Sequence, residues 1–169
     1  QFKKDIILLG GIFVGISFST MSANAQSVYE LKAKKMLERL ASTKVSLDNP
    51  ILQKMVPFIQ RGDLKGAAHE ATTHENFLNV TIKHMALQMS TREETRRIPM
   101  NDFAASVVGV VRDNTDARQL LTGNFYYRAD DTKIPAGITV RSDVVADILK
   151  SNNHYADLDK IGIDLAQVL

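Results

Sequence analysis

The sequence predicts an all-α fold, and three observations predict it. Apolar residues recur at helical spacing in one segment after another. Those segments open on Asn, Asp, Ser or Thr, and several stop at Gly, the residues that cap helix ends. The composition is that of an ordinary globular chain: of 169 residues 44% are hydrophobic, 24% charged and 7% aromatic. That apolar content excludes a disordered or collagenous chain. With 21 basic and 19 acidic side chains the net charge is +2, too small to point to nucleic acid or a strongly anionic membrane surface.

The first element to justify is not part of the fold. Lys3 and Lys4 precede the apolar run Ile6 to Phe18, which gives way to the small and polar stretch ending Ala23-Asn24-Ala25. This is the three-part anatomy of a secretory signal with an A-x-A cleavage site. A membrane-spanning helix needs about 20 apolar residues, and this run is shorter and holds three Gly. Residues 1–25 are therefore expected to be removed, leaving no transmembrane span. Residues 26–169 are expected to form a single helical domain at the periplasm or cell surface. Because position 1 is Gln and the last residues, Ile163 to Leu169, start a helix without a stop signal, that domain is expected to be the N-terminal part of a longer protein.

Along the remaining chain, Val28, Leu31, Leu37, Leu40 and Ala41 alternate with charged residues as one amphipathic helix over 28–42. Asn49-Pro50 puts a cap before a proline at the first helical position, with Ile51, Leu52, Met55, Val56 and Ile59 as the apolar face and Gly62 as the stop. Pro57 inside this segment predicts a kink or a division into two. Asp63 caps a short helix carrying Leu64, Ala67, Ala68 and Ala71. Thr72 and Glu75 have capping-box spacing for a helix running to about Met89. Ser90 to Pro99 reads as a charged, solvated connection.

Asn101 opens the clearest helix, with Phe103, Ala104, Val107, Val108, Val110 and Val111 as a broad buried face. Asp116 caps a further turn or two containing Leu120 and Leu121, and Gly123 stops it. From Asn124 to Arg141 periodicity fails, which predicts a long ordered loop with room for a short strand. Ser142 to Leu149 and His154 to Lys160 supply two more short helices, the second ended by Gly162.

Few residues carry a chemical signature. The absence of Cys excludes disulfides, thiolate metal sites and covalent haem attachment within these residues. His69-Glu70-Ala71-Thr72-Thr73-His74 resembles a zincin helix, but three residues stand between Glu70 and His74 where that motif needs two. Two His five apart cannot share a metal on one helix face. His84 shares an apolar stripe with Phe77, Val80 and Leu87, beside Leu78, Ile82, Met85 and Met89. A His in that setting is a candidate haem ligand; the plainer reading is a boundary histidine bonded to backbone. Neither Asp130-Asp131 nor Asp157 with Asp159 has calcium-loop spacing. No nucleophile elbow or nucleotide loop occurs, so no catalytic or metal residue is assigned.

The most individual stretch is Asn101 to Tyr127, a buried helix leading through Arg112-Asp113-Asn114, Asp116-Ala117-Arg118 and Leu120-Leu121-Thr122 into Phe125-Tyr126-Tyr127. Arg112 and Arg118 are placed to pair with Asp113 and Asp116 and fasten the junction. This block, with His154-Tyr155, resembles helical domains of uncharacterised secreted bacterial proteins of the planctomycete, cytochrome-associated type. The resemblance covers about residues 101–155. It implies a c-type haem site further downstream. This chain departs from that group in having no Cys, so either haem c is held beyond Leu169 or this relative binds none, and no cofactor is expected within this chain.

Two functions are therefore expected: an exported domain of a haem-bearing electron-transfer protein, or a cofactor-free periplasmic binding or scaffold module. In the second, Phe125, Tyr126, Tyr127, Asp130 and Asp131 form the contact loop and another periplasmic protein is the partner. A hydrolase using the loop carboxylates ranks third.

Overall fold

A computed structural model describes residues 27–90, 99–140 and 152–169. The architecture is all-α, with short helices joined by turns and no strand among the described residues. The expected signal segment, the Ser142 helix and the charged connection, apart from its ends Ser90 and Pro99, lie outside the described residues. No described helix is long and apolar enough to cross a membrane. The chain forms two compact units. The first holds residues up to Arg39 and Thr43–Ala71; the second holds Leu40–Ser42 and Thr72–Leu169.

The first unit is built from helix α1 (27–40), α2 (Pro50–Gln60) and α3 (Leu64–Ala71). Ala33 and Leu37 of α1 are buried, and so are Leu52, Met55, Val56 and Ile59 of α2. The Asn49 side-chain oxygen accepts the N–H groups of Ile51 and Leu52 at 2.9 and 3.2 Å, satisfying donors that the first turn leaves over. Pro57 does not divide α2, which runs unbroken to Gln60. It sits in the last turns, where the missing N–H removes one bond near the helix end, and buried Val56 and Ile59 hold the helix on either side. Gly62 takes a positive φ of 79° to leave α2, and Asp63 Oδ1 accepts the N–H of Gly66 at 2.8 Å to start α3.

The second unit opens as a π-helix, Phe77–Ile82, and continues as α4 (Lys83–Ser90). Then come α5 (Asp102–Arg112), α6 (Gln119–Thr122), a 3₁₀ turn (Asp131–Lys133), α7 (Asn153–Ile161) and α8 (Leu165–Val168). Its core joins Ile82, Ala86 and Leu87 of the π/α4 helix to Ala104, Ala105, Val107 and Val108 of α5. Met100, Ala129, Tyr155, Leu158, Leu165 and Val168 complete it. Spacing predicts an ordinary α-helix to Met89. The π opening, with its wider turn, rotates α4 away from the orientation that spacing implies. His84 consequently stands on the exposed side of α4 with Met85 and Met89, while Ala86 and Leu87 face the core.

Candidate functional site

The aromatic segment after α6 is held from three directions. Asn101 caps α5, its Oδ1 accepting the N–H of Ala104 at 2.9 Å while its Nδ2 donates to Ser90 Oγ at 2.9 Å. At the far end of α5 the Arg112 guanidinium grips Asp113 with two bonds of 2.7 and 3.0 Å, the fork geometry of an Arg–carboxylate pair. The bonded Arg112 holds the Asp113 carboxyl below the usual range. Tyr127 donates its hydroxyl to the same carboxylate at 2.7 Å, and Arg112 lies 5.6 Å from the Tyr127 ring centre. The ring covers Gly109 so closely that a Cβ there would collide with it. Glycine at 109 is thus a packing requirement, one that a Gly inside a valine-rich helix does not announce in the sequence.

From beneath, buried His154 and Tyr155 of α7 fasten the same segment. Tyr155 donates to the Tyr127 carbonyl at 2.8 Å, and His154 Nε2 accepts the N–H of buried Ala129 at 3.2 Å. Accepting at Nε2 requires the neutral imidazole with its proton on Nδ1. The Asp130 N–H then reaches the Val168 carbonyl of α8 at 2.6 Å. Burial, with the Asp102 charge adding to it, pushes the Tyr155 phenol up to about 12.

On this frame Phe125 and Tyr126 remain 39% and 38% exposed, while Tyr127 turns inward as an anchor. They form one wall of a groove of about 270 Å³, completed by Asp102, Phe103 and Ser106 of α5 and by Gln119 and Leu120 of α6. Asp116 sets α6, pairing with Arg118 through its side chain and accepting the N–H groups of Arg118 and Gln119. Gly123 ends α6 and lets the Phe125 ring close over it.

Of the five residues expected as a contact loop, Phe125 and Tyr126 line this groove. Tyr127 is its support. Asp130 and Asp131 serve the turn itself: Asp130 Oδ1 accepts from the Thr132 N–H at 3.0 Å, and Asp131 pairs with Arg128 at 2.6 Å. The expected Arg112–Asp113 and Arg118–Asp116 pairs both form. Sequence alone does not mark Asp102, Phe103 and Leu120 as groove residues. Each reads as an ordinary helix position, and only the return of the chain at 123–126 brings them opposite aromatic rings.

A second cleft, about 330 Å³, lies in the same unit between the π-helix and the α7–α8 turn. Its polar groups close on one another. Asn79 Nδ2 donates to Asp164 Oδ1 at 2.9 Å while its Oδ1 accepts the Leu165 N–H at 2.8 Å, and Lys83 bonds Asp159 at 2.5 Å. His69 ends α3, whereas His74 follows it, its Nδ1 accepting the Asn76 N–H at 3.1 Å. Among the described residues no three His, Cys, Asp or Glu side chains gather as a metal site. Compared with protein-family models, with curated proteins and with solved structures, the chain matches none.

Proposed function

We propose that the chain is an exported helical binding module, docking a periplasmic protein partner in the groove between α5, α6 and Phe125-Tyr126. One observation carries this reading. Two neighbouring aromatic rings are left half exposed on a segment whose third ring, backbone and following turn are all tied down. Holding Phe125 and Tyr126 toward water on a rigid frame gives a partner large contact area at little ordering cost. The groove is smaller than the roughly 300–1,000 Å³ of most small-molecule sites. It suits an inserted side chain better than a cofactor.

The test is site-specific photo-crosslinking in the exporting cell. A photoreactive residue at Asn124 is expected to give a discrete adduct that disappears when Phe125 and Tyr126 are both changed to Ala. The same adducts from a control position at Lys65 would overturn the reading. The electron-transfer alternative rests on the resemblance of residues 101–155. A C-x-x-C-H motif encoded beyond Leu169 supports it, and its absence there removes it.

A further inference from the structure

The groove has a sign as well as a shape. Among the described residues that line it, Asp102 is the one charged side chain, and it sits in the first turn of α5 across from Phe125 and Tyr126. Phe103 and Leu120 supply apolar walls, and Ser106, Gln119 and Asn124 supply neutral hydrogen-bonding groups. The nearby basic residues Arg112, Arg118 and Arg128 are each committed to a carboxylate of their own, on Asp113, Asp116 and Asp131. None of them lines the groove.

An exposed carboxylate beside half-exposed aromatic rings has a definite complement. A cation is drawn to the carboxylate by charge and to the ring faces by their quadrupole. A long aliphatic stem behind that cation covers Phe103 and Leu120. An anion would meet Asp102 with no basic side chain among the described lining residues to offset it. A neutral apolar side chain would desolvate the carboxylate and leave it only the Phe103 N–H, which its Oδ1 accepts at 2.8 Å.

We infer that the groove accepts an arginine or lysine side chain from an extended segment of the partner protein, with Asp102 receiving the cation and Tyr126 stacking on it. This rests on the groove being the docking site. The experiment separates the two ideas.

Three acetylated, amidated pentapeptides, Gly-Leu-X-Leu-Gly with X as arginine, citrulline or glutamate, are titrated into isotopically labelled protein and followed by amide shifts. Citrulline keeps the shape of arginine and removes its charge. The arginine peptide is expected to shift Phe103, Ser106, Leu120 and Tyr126 and to bind about fivefold more tightly than the citrulline peptide. The glutamate peptide is expected to bind weakest. Raising salt from about 0.05 M to about 0.5 M shrinks the arginine preference.

Asp102→Asn is expected to abolish that preference. Because Asp102 also favours the α5 N-terminus, Tyr126→Leu provides a second variant on an exposed position. It keeps apolar area, loses the π face, and is expected to lower the preference without lowering thermal stability. Equal binding of the arginine and citrulline peptides at the groove overturns the cationic inference and leaves the docking surface standing. No shifts at the groove with any peptide overturn both.

Discussion

Two clefts of the second unit are of similar size and differ in how their polar side chains are held. In the cleft at the α7–α8 turn, Lys83 meets Asp159, and Asn79 spends both ends of its carboxamide on Asp164 and the Leu165 N–H. Its polar groups complete one another and stitch the π-helix to α8. In the aromatic groove, exposed Asp102 lies beside two half-exposed rings, and among the described residues no basic side chain lines the walls. The first cleft is a seam; the second is the one proposed as a docking site. A cleft's chemistry is read from whether its polar groups are answered within the fold, more than from its volume.

The largest expected effect falls on the frame beneath the groove. Tyr155→Ala removes a fully buried aromatic and its bond to the Tyr127 carbonyl, and is expected to cost about 3–5 kcal/mol in chemical denaturation. Tyr155→Phe should cost only about 1 kcal/mol, the scale of one lost hydrogen bond. If the two variants lose equal stability, packing is not what holds the segment.

Asn79→Ala comes next. Losing both bonds of the seam is expected to destabilise the fold by about 1–3 kcal/mol, while peptide shifts in the aromatic groove stay unchanged. A variant that alters groove binding would mean the two clefts are not independent.

The smallest effects are titrations. The neutral Tyr155 phenol is favoured in the fold, at about 12 against about 10 in an unfolded chain. Its contribution is complete below pH about 10 and is lost as pH rises toward 12. Ultraviolet titration should show a tyrosine ionising near pH 12, and Tyr155→Phe should remove that step. At the acid end the sign reverses. Arg112 lowers the Asp113 carboxyl, so the pair's contribution is present above the ordinary carboxylate range and fades as pH falls through and below it. Arg112→Ala should bring the Asp113 titration, followed by carboxyl carbon shifts, back up to that range.

Much of the fold was legible because helix ends are local events. Asn49, Asp63, Asn101 and Asp116 each satisfy donors within three residues, and Gly62 and Gly162 leave their helices with positive φ. Both Arg–Asp pairs near α5 and α6 span two residues or fewer, so they too could be read from the chain. The aromatic loop was visible as a composition, but its division of labour was not. Tyr126 and Tyr127 are adjacent, and only the position of Gly109 and Tyr155 decides which of them faces water.

What the chain determines alone is therefore the all-α class and its punctuation, since spacing and capping act over a few residues. Tertiary structure decides the rest. The π opening of Phe77–Ile82 turns His84 outward, although its spacing placed it on an apolar stripe. The groove's sign depends on Asp102 meeting residues more than twenty positions away. Burial and charge complementarity are properties of surfaces brought together, and no local pattern encodes which surfaces those will be.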